Sequence, residues 1–456
     1  LWADTFDRKL IDIFSVETEV AKTIAEKLQA KLTGREAQVI TAQPTTNSAA
    51  HDAYLRGLAD RLKPSFTTAA TATEAQKNLR EAVRLDPEFA VAWALLAEVD
   101  AIGYLTTNLD PTLALQEEAR HAAETAYTLQ PNLGEALLAQ GYYYYACLKD
   151  YDHAVSYFAK ARQLLPNSSQ IPEALAYVAR RRGQWAQSES YFGDVESLDP
   201  RNVYALGQDG LSKLMQRRFP DALRKFQQVL EITPNDTDTI TNLALVAQAR
   251  DDLPRAAALL APLRPIAADS LLRTQLYQGI LERHPEAAIP QLQEMLARPD
   301  STQAAANAEL RYLLGWAQEL EADHAAAQET WRQARRELEA LLPLQPDNYR
   351  LLGNLALTQL ALGDKAQALS LAERGLKVKP LQTDAVHGGI PIEYLARVAA
   401  QAGEPDRALA SLEKLLSIPG EGIFNLPLTP ALLRLDPMFD PLRSDPRFQK
   451  LAEGKP

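Results

Sequence analysis

The residues of this chain that could do chemistry are six histidines, one cysteine and a few neighbouring carboxylates, and their spacing decides what is open to them. His51, His121, His153, His284, His324 and His387 include no pair four residues apart, and no His-Glu-x-x-His occurs, so no helix face offers two imidazoles to a metal. A solvated or capping role is expected for each. His387-Gly388-Gly389 has the residue types of an oxyanion-hole turn, but the sequence holds no Gly-x-Ser-x-Gly nucleophile elbow to complete it. No Gly-x-x-x-x-Gly-Lys-Ser/Thr tract is present to cradle phosphate, and Gly420-Glu421-Gly422 is too short and too acidic for that task. Asp150 with Asp152, and Asp251 with Asp252, fall between helical stretches, where a carboxylate favours the positive end of the next helix. Cys147 stands alone, which excludes an internal disulfide and a cysteine-based metal cage. It reads as a small apolar filler, compatible with a reducing cytoplasm and an oxidising periplasm alike. No catalytic residue, cofactor or metal is expected.

What positions these residues is a repeat. The stretch from Glu135 to Pro200 states one pattern twice: Leu138, Tyr145, Ala154, Phe158, Ala161 and Pro166, then Leu175, Gly183, Ser188, Phe192, Val195 and Pro200. The two prolines are 34 residues apart. Each unit reads as a helix with apolar positions three and four apart, a short turn and a second helix. In the second helix a small residue (Ala154, Ala222, Ala368, Ala408) admits close approach, and a larger one four places on (Phe158, Phe226) fills the gap between hairpins. The proline stops the helix and angles the next. One hairpin alone cannot bury its face, so the units must stack. This is the periodicity of a tetratricopeptide repeat, and it predicts an all-α chain: a right-handed α-solenoid of about ten such hairpins over residues 49–420.

The ends of the chain break the pattern. Leu1 to Phe6 reads as a last strand, Asp7 to Phe14 as a turn, and Val20, Ile24, Leu28 and Leu32 as one helix stripe. Trp2, Asp7-Arg8, Asp12, Phe14, Glu17, Glu19 and Ala21 resemble the end of the TolB-like domain that precedes tetratricopeptide arrays in many bacterial signalling proteins. Residues 1–33 are accordingly expected to be the remnant of an α/β domain, with further sequence upstream. Residues 34–48 read as a linker. In residues 421–456, Asp436-Pro437, Asp440-Pro441 and Asp445-Pro446 each supply a cap and a first helical position, so short helices should cover the last hairpin. This tail also resembles the closing segment of the same family.

A net charge of −11 opposes broad binding to a phosphate backbone, so no nucleic-acid partner is expected. No apolar run is long enough to span a membrane. What remains is a binding surface. The resemblance implies that first helices line a concave groove, which places Tyr143, Tyr177, Arg180, Arg181, Leu211, Met215 and Trp316 on its wall as partner-binding residues for a protein or peptide. Arg180-Arg181-Arg182, with Lys213 and Arg217 one unit along, forms a basic spot suited to a carboxylate or a phosphorylated segment. The competing expectation is that the tyrosines pack between helices and the arginines are solvated. The Lys and Asn places that capture a free C-terminus in other arrays hold Ala139, Tyr143, Thr241 and Leu245 here, so tail capture of that kind is not expected. The resemblance implies a sensory or docking module beside a kinase, nucleotide cyclase or winged-helix output domain; the alternative is a scaffold for an envelope or secretion complex.

Overall fold

The computed structural model describes residues 19–20, 22–23, 44–63, 69–106, 108–265, 270–299 and 303–454. The residues that carry the resemblance to a TolB-like domain fall almost entirely outside these. Among the described residues there is no strand, and the helices pair into ten hairpins. Those up to Leu164 pack as one unit and those from Leu165 onward as a second.

In the first unit α1 (Ser48–Arg61) pairs with α2 (Ala69–Leu85), and α3 (Ala90–Thr106) with α4 (Leu113–Leu129). Then α5 (Gly134–Tyr142) runs into a π-helical turn (Tyr143–Leu148) and pairs with α6 (Tyr151–Leu164). Residues 44–48 are fixed rather than loose. Thr45 is buried and donates its hydroxyl to the Asp86 carboxylate, while the Asn47 side chain accepts from the N–H groups of Ala49 and Ala50 and caps α1. On α3, Asp100 is 1% exposed and accepts from Gln76 Nε2 at 2.6 Å; burial pushes its carboxyl up to about 7.

The second unit holds seven hairpins: α7 (Gln170–Arg181) with α8 (Trp185–Leu198), α9 (Val203–Met215) with α10 (Phe219–Ile232), and α11 (Thr237–Ala249) with α12 (Leu253–Leu260). Next come α13 (Ser270–Glu282) with α14 (Ile289–Ala297), α15 (Ala304–Leu320) with α16 (His324–Leu341), α17 (Tyr349–Ala361) with α18 (Lys365–Val378), and α19 (Gly389–Ala402) with α20 (Pro405–Ser417). The repeat alanines Ala222, Ala368 and Ala408 are fully buried. The tightest approach is made by a glycine of each first helix against the bulky residue of its partner. A Cβ on Gly210 would meet the Phe226 ring at 2.5 Å, and one on Gly315 would meet Trp331 at 2.4 Å.

Beyond Ser417 the chain runs without helix to α21 (Pro430–Leu435), a 3₁₀ turn (Pro437–Leu442) and α22 (Pro446–Ala452). Asp436 and Asp445 cap the last two, each followed by proline as the spacing predicts, and Thr429 caps the first. Asp440 instead lies inside the 3₁₀ turn, where its carboxylate serves Arg283 and Arg443.

Because the interior is close-packed, Gly210→Ala should lower stability by about 1–3 kcal/mol through overpacking. Phe226→Leu added to it should relieve part of that loss. Urea denaturation of both variants and of Phe226→Leu alone checks this; strictly additive losses would show that the two residues do not press on each other.

Candidate functional site

Each hairpin turns sharply between its helices, and the residue at the turn takes a left-handed conformation: Gly183 (φ 74°), Arg217 (58°), Asp251 (67°) and Arg283 (66°) in four successive repeats. Just before each turn the first helix ends in carbonyls that the helix itself cannot satisfy. In the second unit the chain's own later segments satisfy them. Ala385 N–H donates to the Arg181 carbonyl at 2.7 Å, Gly420 N–H to that of Met215 at 3.1 Å, and the Thr429 hydroxyl to that of Ala249 at 2.8 Å. The three acceptors are spaced by 34 residues, the length of the repeat.

Side chains at the turns tighten the same seam. The Arg217 guanidinium donates to the carbonyls of Leu415, Ile418 and Leu428 at 2.8 to 3.0 Å. Arg434 reaches Asp251 at 3.0 Å, and Arg283 forks onto both Asp440 oxygens at 2.8 Å. Deeper in the wall Phe424 stacks on Tyr277, with centroids 3.9 Å apart and planes within 9°, and lies 6.3 Å from Trp316. Asp436, fully buried, accepts from the Tyr277 hydroxyl at 2.8 Å and from Arg397 at 2.7 Å. Arg397 is 1% exposed and also binds Glu393, whose other oxygen accepts the Ile423 N–H at 3.0 Å.

A second knot of charge joins α7, the loop before α19 and the tail. Asp384, fully buried, takes Arg181 and Lys379, each at 2.6 Å, and accepts the N–H groups of Val386 and His387. His387 lies between Arg181, 3.2 Å from its Nδ1, and Glu421, 2.9 Å from its Nε2. An N–H of Arg181 faces Nδ1, so Nδ1 is the acceptor and the proton sits on Nε2, aimed at the carboxylate. Burial first, and Arg181 second, pull the imidazole down to about 4. Burial alone would raise Asp384 and Glu421, but the surrounding positive charges outweigh it. Asp384 lies well below the usual carboxylate range under Arg181, His387 and Lys379, and Glu421 is held at about 2 by His387, Arg350 and Arg181.

These contacts place the residues named from the sequence. Arg181, Met215 and Trp316 do lie on the wall that meets an extended segment, but that segment belongs to the same chain, and all three are buried. Tyr177 is buried and donates to Glu173 at 2.6 Å; Arg180 stacks on Tyr177 and donates to Gln208 and Ser212. Leu211 packs half-buried against the core. Tyr143 is buried in the π-helical turn of the first unit, edge-on to Tyr144, and not with the others. The expected basic spot is consumed internally. Arg181 does receive a carboxylate, that of Asp384, while Lys213 binds Asp209 and Glu189, and Arg217 binds carbonyls. His387 is likewise neither solvated nor a cap. Sequence reasoning missed Asp384, Glu421, Phe424 and Asp436; the Asp-Pro step marked Asp436 only as a cap.

A model of the tetratricopeptide repeat matches residues 173–237 and 319–382, and these stretches are tetratricopeptide repeats. Over 126 residues the chain is 33% identical to a putative adenylate cyclase 3 of Rhizobium meliloti (strain 1021), covering 26% of this chain and 21% of that protein. The chain thus matches about a fifth of that relative's length. Among solved structures, Pseudomonas aeruginosa pilF is 21% identical, with 48% of this chain and 92% of that one covered at a TM-score of 0.33. The human IFIT1 dimer with m7Gppp-AAAA is 13% identical, with 80% and 78% covered at 0.46.

Arg181→Ala would leave the buried Asp384 carboxylate with Lys379 as its one remaining ion-pair partner in this knot, and should cost about 3–5 kcal/mol. Thermal melting and limited proteolysis near residue 385 check it; an unchanged melting curve would mean the pair is not buried in solution. The imidazole at 387 supplies a pH signature. Unfolded, it takes a proton near its ordinary pKa of about 6.5, which the folded site refuses until about pH 4. Stability is therefore present above that window and lost as pH falls through it, by an amount on the order of 2–3 kcal/mol. Denaturation series from pH 7 to 4 on the wild type and His387→Gln should show a shallower slope in the variant; parallel curves would contradict the assignment.

Proposed function

We propose that this chain is the non-catalytic, protein-binding part of a larger bacterial signalling protein, serving it as a docking or sensory module. The observation that carries this reading is the wall of the second unit, which holds an extended polypeptide by contacts repeated at the pitch of the array. Helix-end carbonyls meet N–H and hydroxyl donors, a guanidinium meets carbonyls, and an aromatic cleft takes a phenyl ring. Such a wall suits recognition of main chain with a few side-chain keys. The signalling context is supported by the partial likeness to a putative adenylate cyclase and by the resemblance of the first residues to the end of a TolB-like domain. An output domain upstream, whether kinase, cyclase or winged-helix regulator, would receive the signal.

The chemistry of the described residues fits this role. No three His, Cys, Asp or Glu side chains among them are grouped to hold a metal, and the buried charged clusters of the second unit are saturated by one another. The test uses the whole chain, immobilised and exposed to lysate of the source bacterium beside an unrelated tetratricopeptide array of equal length. One protein should be retained in stoichiometric amount and displaced by soluble chain. Retention equal to the control array, or a hydrolytic activity of the purified chain that a point substitution abolishes, would defeat the reading.

A further inference from the structure

The segment that fills the wall is built as a ligand is built. Between Ser417 and Pro430 it has no helix of its own, and Gly420 within it takes a φ of 148° that a side chain rarely adopts. Its grip on α9, α11 and α13 lies in two kinds of contact. One reads main chain: the Met215 carbonyl against Gly420, and Arg217 against Ile418 and Leu428. The other reads three side chains: Phe424 between Tyr277 and Trp316, Asp436 under Tyr277 and Arg397, and Asp440 in the fork of Arg283. Phe424 and Asp436 are 12 residues apart, and Asp440 lies four further on. The two ends of the segment differ in burial. Phe424 and Asp436 are almost wholly enclosed, whereas the Arg283–Asp440 and Arg434–Asp251 pairs are each about 40% exposed, the level at which an ion pair contributes little. The last turns are thus the natural place for the segment to begin to lift.

We propose that residues 418–440 are a built-in ligand of this wall, and that it captures a partner by exchanging them for an extended partner segment of like chemistry: an aromatic residue followed at similar spacing by two carboxylates. The inference rests on the protein-binding reading above and adds to it both the class of partner and a reason for restraint. A tethered ligand competes at an effective concentration of roughly millimolar, so a partner must bind the bare wall tightly to be seen at all. The partner gains when the upstream protein, or the partner itself, engages the half-exposed turn at Asp440 and loosens it.

Two measurements on the full chain test this. In hydrogen exchange, amides of residues 418–440 should open at lower free energy than those of α15 and α17. Exchange of all of them only through global unfolding would overturn the proposal. The second measurement uses a fluorescent peptide of residues 416–442 as the probe, with the wild-type chain and two variants, Phe424→Ala/Asp440→Ala and the milder Asp440→Ala/Arg434→Ala. Both substituted pairs weaken the tethered segment and leave the wall intact. The peptide should bind the variants at least about tenfold more tightly than the wild type, and a peptide carrying Phe424→Ala and Asp440→Ala should not bind. Binding that ignores the peptide's substitutions, no binding to either folded variant, or a stable exchange of tails between two copies in place of peptide uptake would each overturn it. A chain whose tail stays closed yet retains a cellular protein defeats this inference alone. A tail that opens and takes the peptide in a chain that retains nothing defeats the function reading instead.

Discussion

An α-helix ends in carbonyls that nothing within it can satisfy, and a stack of helical hairpins sets those ends in a row along one edge. Left to water they cost little; covered by apolar side chains without donors they would cost about 1–3 kcal/mol each. In the second unit they are covered, and the donors arrive from residues 385, 420 and 429. That requirement fixes the course of the returning segment. It has to run along the row of turns, presenting a donor once per repeat, and Arg217 in turn takes up carbonyls of the segment and of the end of α20.

The buried charges have the same origin in the return. Asp384, Glu421, Glu393, Asp436, Arg181 and Arg397 would be poor choices for a core whose only task was burial, since a well-packed apolar set is often as stable or more so. Each of these groups here joins elements remote in sequence: Arg181 to Asp384, Arg397 to Asp436, Glu393 to the Ile423 amide. A phenyl ring slides along an apolar wall at small cost, whereas a carboxylate displaced from its guanidinium is left unpaired in a poor dielectric. The ion pairs therefore fix the position of the segment, and Phe424 on Tyr277 supplies its burial.

The array is legible in the sequence because its cause is local. Apolar spacing, a small residue at Ala222, a bulky one at Phe226 and a terminal proline act within one hairpin or on its neighbour, and periodicity displays them. The positions on the wall are partly legible for the same reason: counting from the prolines brings Arg181, Met215 and Trp316 to the face that meets the tail. The occupant is not legible. Arg217 and Leu428 are 211 residues apart, and no period links them. Counting also falters at Tyr143, where the π-helical turn from Tyr143 to Leu148 adds residues to the first helix and shifts the register of its last turn. His387 reads as solvated or capping because a lone histidine beside two glycines gives no sign of the Arg181 and Glu421 that enclose it.

The return also changes how the second unit should behave as a polymer. In an open stack each repeat touches only its neighbours, so stability is a sum of local terms and the ends fray first. Here the turns of α7 to α13 are completed by residues beyond α18, and Arg397 of α19 shares Asp436 with Tyr277 of α13. The last residues made are thus needed by repeats near the start of the unit. Those contacts span about 150 to 210 residues, and closing such loops carries an entropic cost that nothing repays until the segment docks. The early hairpins of the unit can form as neighbours do, but their edge stays unfinished until the C-terminus arrives. A unit assembled in that order has one late, long-range step whose reversal re-exposes a complete row of helix ends, and that is the physical basis on which a closed repeat array can both fold independently of a partner and still keep a surface to offer one.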